Sequence, residues 1–154
     1  MLWFVGLGIS GISELSDNTV SVIKNADIVY LESFTSPISE TEKEQLANMC
    51  DGEFKIAKRW FVEDGNEILE NAKEREAVLI SYGDPYIATT HLELKTRAVT
   101  DKIETKTIHS SSIVSSLIGE IGLQYYKVGK ILTIMNDPKS VSYTHLTLPT
   151  TPYV

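Results

Sequence analysis

Short apolar runs of strand length alternate with segments of helical pattern along this 154-residue chain, and no other feature restricts its fold as much. Residues 2–7, 28–31, 54–57, 77–81, 105–109 and 128–135 read as strands. Between the first two, Ser16 and Asp17 open a helix whose apolar stripe is Val20, Ile23 and Ala26. Ser39 and Glu42 stand three apart and predict a capping box, with a helix to about Met49. Residues 66–74 are helical, and Thr90 with Glu93 is expected to cap a helix running to about Val99. Ser111 or Ser112 starts the clearest helix, where Ile113, Leu117 and Ile121 recur at four-residue steps beside Val114 and Ile118. The strands are continuous apolar runs, which a sheet needs only when both faces are covered. The expected fold is therefore α/β, an open, mostly parallel sheet with helices on both faces. Such sheets bind ligands beyond the carboxyl ends of their strands, where the loops 8–11, 83–87 and 110–113 fall.

Composition narrows the function. The net charge is −7, which argues against nucleic acid, since a phosphate backbone calls for a basic face. The apolar start at residues 2–9 carries two glycines and is far too short to span a membrane. Cys50 is the only cysteine, so no intrachain disulfide forms and a reducing cytoplasm is the expected compartment. No Cys/His spacing suggests a metal site. Although 23% of the chain is charged, residues 140–154 contain no Lys, Arg, Asp or Glu. That segment resembles the in-frame translation of a sequencing adapter. The organisation expected is a cofactor-binding domain over 1–137 and a non-native tail over 138–154.

Gly6-Leu7-Gly8-Ile9-Ser10-Gly11 matches the dinucleotide fingerprint, and Glu32 stands where a ribose-binding acid belongs. Taken alone, these residues indicate NAD. The fingerprint works, however, by opening a helix whose N-terminus meets the pyrophosphate. Here the helix signals arrive only at Ser16 and Asp17, and Glu14 and Asp17 bring negative charge toward a diphosphate. A nicotinamide-binding oxidoreductase domain is the second reading.

The first reading rests on several short motifs taken in order. Residues 2–8, Tyr82-Gly-Asp-Pro85, Ala88-Thr-Thr-His91, His109-Ser-Ser-Ser-Ile113 and Gly122-Leu-Gln-Tyr-Tyr-Lys127 together resemble the diphthine synthases. These belong to the tetrapyrrole-methylase-like class of S-adenosylmethionine methyltransferases. The likeness is nearly collinear from Met1 to about Met135. It implies that the chain is the N-terminal domain of a two-domain methyltransferase, with Ile9, Asp84, Ile87, Ser112 and Ile113 forming this half of an S-adenosylmethionine pocket. It also implies methyl transfer to the amino group of a modified histidine on elongation factor 2, in the cytoplasm, by a homodimer. A tetrapyrrole-type small-molecule methyltransferase shares the fold and differs in substrate.

The cofactor carries no phosphate, so it needs no basic cradle. Its sulfonium and ammonium are complemented by a carboxylate such as Asp84, and its adenosine by apolar Ile9 and Ile87. Asp84 before Pro85 is also a common turn residue, and Ser112 also suits a helix cap. Ser111 departs from the family, which carries proline there. No catalytic residue is nominated, because a neutral amine needs orientation more than activation. His91 and His109 are expected to pack or cap. On this reading the isolated chain owns half a site, has no appreciable methyltransferase activity and binds S-adenosylmethionine weakly at best. A non-enzymatic binding module is the alternative if residues 140–154 are native.

Overall fold

The computed structural model describes residues 1–36, 38–129 and 131. Its contacts separate residues Met1–Leu117 from a smaller unit that begins at Ile118. The first unit carries five parallel strands, β1 (Leu2–Gly6), β2 (Ile28–Glu32), β3 (Glu53–Ala57), β4 (Ala77–Ser81) and β5 (Thr105–Ile108), in the order β3-β2-β4-β1-β5. The helices are α1 (Asp17–Asn25), α2 (Glu40–Met49), α3 (Arg59–Asp64), α4 (Asn66–Glu74), α5 (His91–Thr100) and α6 (Ile113–Glu120), the last crossing into the second unit. Beyond α6 the chain turns at Gly122, with φ +73°, and makes one 3-10 turn at Tyr125–Lys127.

Side chains alternate along each central strand, yet both sets are apolar. Leu2, Phe4, Ile28, Tyr30, Ala77 and Leu79 point to one face, where Val62, Ile68, Leu69, Ala72, Leu94 and Ala98 of α3, α4 and α5 cover them. Val5, Val29, Leu31, Val78 and Ile80 point to the other, against Ile23 of α1 and Leu46 of α2. Burying each large side chain contributes roughly 1.5–3 kcal/mol, so the doubly covered sheet is the main source of stability. Edge strand β3 carries Glu53 and Lys55 and is therefore less apolar, and with these two Ile56 is exposed as well.

Local signals explain the helix starts. Ser16 accepts from Thr19 N at 3.2 Å and begins α1. Ser39 and Glu42 form the full capping box of α2, with Glu42 N donating to Ser39 Oγ at 3.2 Å and Ser39 N to Glu42 Oε2 at 3.1 Å. Three local readings differ. Thr90 makes no side-chain cap on α5. Residues 59–64 form a helix that no Ser, Thr, Asp or Asn announces, because its cap is Lys58. The stripe of α6 does not enter the core: Ile113 and Leu117 are 63% and 50% exposed. Periodicity identifies an apolar face without saying what covers it. Val128 and Gly129 lie outside any strand, while the remainder of the strand expected at 128–135, apart from Ile131, lies outside the described residues, as does the segment 138–154. No helix among the described residues is long and apolar enough to cross a membrane.

Candidate functional site

β1 and β4 are neighbours with their exits side by side, and the loops that follow them meet. Gly8 and Gly83 exchange both backbone hydrogen bonds, at 3.1 and 3.0 Å, with φ of +74° and +69°. Both conformations suit glycine, whose missing Cβ leaves the left-handed region open. The β5 exit closes on the same point. Ser111 Oγ accepts from Ile9 N at 3.0 Å, so three loops are joined.

A cleft of about 430 Å³ opens where these loops end. All five residues singled out for cofactor contact line it: Ile9 from the first loop, Asp84 and Ile87 from the second, Ser112 and Ile113 at the start of α6. Ile9 and Ile87 are 43% and 40% exposed, as apolar cleft walls are, whereas Asp84 and Ser112 are buried. Among the described residues no Lys or Arg lines the cleft. Thr35 and Ser36 from the β2 exit line it as well, together with Tyr82, Gly83, Ala88 and Val114. Thr35 and Ser36 carried no sequence signal except their place just past a strand end. Within the span 83–87, Ile87 N donates to Asp84 O at 3.3 Å.

The Asp84 carboxylate ties loops together. Oδ1 accepts from Tyr86 N at 3.0 Å, and Oδ2 lies 2.7 Å from His109 Nδ1 and 3.4 Å from Ser110 N. Turn residue and cleft residue thus coincide in one side chain. Its hydrogen bonds go to the protein, so any help it gives a cationic ligand comes through charge. Ser112 likewise holds two places at once, lining the cleft and accepting from Val114 N at 3.2 Å as the cap of α6. His109 packs edge-on to Tyr86 and pairs with Asp84.

Tyr82 donates to Glu42 Oε1 at 2.9 Å, linking the cleft to the first turn of α2. Burial, then the Glu42 carboxylate, push the phenol up. Hydrogen bonds from Ser39, with that of Tyr82, hold Glu42 below the usual carboxylate range.

The dinucleotide reading meets two obstacles. The glycines lead into a 3-10 turn at Gly11–Glu14, and the first α-helix begins only at Asp17. Glu32, the would-be ribose ligand, is 3% exposed and accepts three hydrogen bonds from Phe34 and Thr35. Among the described residues no cluster of three or more His, Cys, Asp or Glu is placed to hold a metal.

The chain matches known proteins over most of its length. The family model of tetrapyrrole (corrin/porphyrin) methylases matches residues 1–150. The diphthine synthase of Methanospirillum hungatei is 44% identical over 135 residues, covering 87% of this chain and 54% of that protein. The diphthine methyl ester synthase of Candida glabrata is 36% identical over 136 residues, covering 88% and 45%. A crystal structure of diphthine synthase superposes with a TM-score of 0.75 at 32% identity, covering 83% of this chain and 51% of that one. The chain thus spans about half the length of the curated relatives it matches.

Proposed function

The chain belongs to the tetrapyrrole methylase family, and from that premise we propose that it is the S-adenosylmethionine-binding half of a diphthine synthase. In this reading the whole protein methylates the amino group of a modified histidine on elongation factor 2, in the cytoplasm and as a homodimer. The observation that carries the proposal is the convergence of Ile9, Asp84, Ile87, Ser112 and Ile113 on one cleft beyond the ends of β1 and β4.

The residues fit the cofactor. A cleft of about 430 Å³ lies within the range of small-molecule sites, about 300–1,000 Å³. Its apolar Ile9, Ile87 and Ile113 suit an adenosyl group, and the absence of Lys and Arg from its lining among the described residues suits a ligand without phosphate. When bound, S-adenosylmethionine supplies an electrophilic methyl on its sulfonium. The chain's own residues hold and orient. Gly8 and Gly83 fix the floor, and Asp84 pins the two loops beside it while placing a negative charge near the cationic ligand. No side chain need take a proton before attack by a neutral amine. Orientation is the contribution asked of the protein, and it can supply on the order of 7 kcal/mol in favourable cases.

Calorimetric titration of the full-length gene product with S-adenosylhomocysteine and, separately, NAD tests the cofactor. Binding of the first without the second is expected, and NAD binding alone would overturn the reading. Substrate is tested with the full-length gene product, by radiolabelled methyl transfer to elongation factor 2 carrying the modified histidine. Transfer to a tetrapyrrole instead would identify the small-molecule class.

A further inference from the structure

Glu32 and His91 are both buried at the exits of the sheet, and the cleft does not use either directly. Glu32 ends β2, where Oε1 accepts from Phe34 N at 3.0 Å and Thr35 N at 2.6 Å, and Oε2 from Thr35 Oγ1 at 2.5 Å. These bonds knot the turn that presents Thr35 and Ser36 to the cleft. His91, the first residue of α5, has no exposed surface, and its Nδ1 lies 3.0 Å from the Pro85 carbonyl oxygen. A carbonyl only accepts, so Nδ1 carries the proton. In the neutral ring Nε2 is then a bare lone pair; it has no hydrogen-bond partner and stands 3.5 Å from Glu32 Oε2. Buried groups thus stand in series from Thr35 through Glu32 and His91 to Pro85, hydrogen-bonded at both ends and, between them, brought to 3.5 Å without a hydrogen bond, so that the two walls of the cleft meet through this pair.

Magnitudes decide what such a pair is for. Apolar residues of similar volume often stabilise a fold as well as a buried ionisable pair does, so stability alone gives little reason to place one here. What the pair adds is a fixed separation between two loops that no strand hydrogen bond sets. We propose that Glu32 and His91 are positioning residues for the cleft, setting the Thr35–Ser36 wall against the Asp84–Ala88 wall and thereby the shape available to an adenosyl ligand. The ligand part rests on the function proposed above. The coupling of the two walls does not.

Two variants of Glu32 separate positioning from bulk. In Glu32→Gln the amide oxygen keeps the Phe34 and Thr35 amides, its NH2 offers Nε2 of His91 the missing donor, and the Thr35 hydroxyl turns to accept. Glu32→Leu keeps the volume and removes every acceptor. Amide hydrogen exchange on the unliganded chain should show Thr35 and Ile87 at natural rates in Glu32→Gln and both faster by roughly tenfold or more in Glu32→Leu and His91→Leu. In the full-length gene product, affinity for S-adenosylhomocysteine should stay within about threefold in Glu32→Gln and fall by about tenfold in the leucine variants. Damage in Glu32→Gln equal to that in Glu32→Leu overturns the proposal, as does a natural Thr35 rate in His91→Leu. If the full-length gene product binds no S-adenosylhomocysteine, the functional reading fails, and the exchange rates of the chain still decide the pair.

Discussion

Gly6 passes so close to Gly83 that a Cβ on Gly6 would collide with the Gly83 carbonyl oxygen, with Pro85 Cδ at 3.0 Å and Ser110 Cβ at 3.1 Å closing the remaining space. This is the structural use of the first fingerprint glycine, and it concerns loop against loop. Gly6→Ala is expected to force the β1 and β4 exits apart and destabilise the fold by roughly 1–3 kcal/mol, the usual cost of overpacking. Gly119→Ala is the control, since a Cβ there meets nothing within 4 Å and the residue is helical. It should stabilise by about 0.5–1 kcal/mol through the lost flexibility of glycine. Denaturant unfolding of both variants checks the pair, and equal effects would contradict the account.

Asp84 holds Tyr86 N and His109 by different oxygens, so its two substitutions should differ. Asp84→Asn can still accept from Tyr86 N and should cost little stability while losing the negative charge. Its signature is weaker binding of S-adenosylhomocysteine with nearly unchanged melting. Asp84→Ala removes both acceptors from a buried place and should cost about 1–3 kcal/mol in addition. Equal melting of the two variants would show that the carboxylate does not tie the loops.

The sheet was legible because its code is local and redundant: each central strand is apolar at its first four positions, and 77–81 was read with both of its boundaries. The capping box of Ser39 and Glu42 was legible for the same reason, as both partners lie within one turn. Five cleft residues could be named only through family resemblance, since apolar Ile9 and Ile87 carry no chemical signature of their own. Thr35 and Ser36 stayed hidden because what brings them to the cleft is a pairing of strands, β2 beside β4, that sequence spacing does not encode. Glu32 was singled out for the wrong partner: a strand-end acid looks alike whether it faces a ribose or its own turn.

Stability should fall as pH drops below about 6.5, the ordinary value for an unfolded imidazole. Burial pushes His91 below that value, with the Glu32 carboxylate and the Pro85 carbonyl opposing. Between the two values the unfolded chain binds a proton that the native one does not. The contribution is therefore present above pH 6.5 and lost as pH falls through the folded value. His91→Leu should flatten the pH dependence of unfolding free energy below about pH 6.5 relative to the natural chain. An unchanged slope would mean that the buried imidazole keeps its ordinary affinity for protons.

Ser111 stands where its relatives are expected to carry proline, and its hydroxyl compensates by accepting from Ile9 N. The bond is solvent-exposed, so water can replace it, and Ser111→Ala should cost no more than about 0.5–1 kcal/mol. Its effect belongs to the cleft: the Ile9 amide should exchange faster while the amides of β1 do not. Ser111→Pro removes the same acceptor and returns up to about 0.4–1 kcal/mol by restricting the unfolded chain, if the local backbone accepts proline. The two variants should therefore share a fast Ile9 amide and differ in melting, with the proline variant higher. A slow Ile9 amide in either would show that the β1 exit is held by the Gly8–Gly83 pairing alone, and that the serine is not what fastens this edge of the cleft.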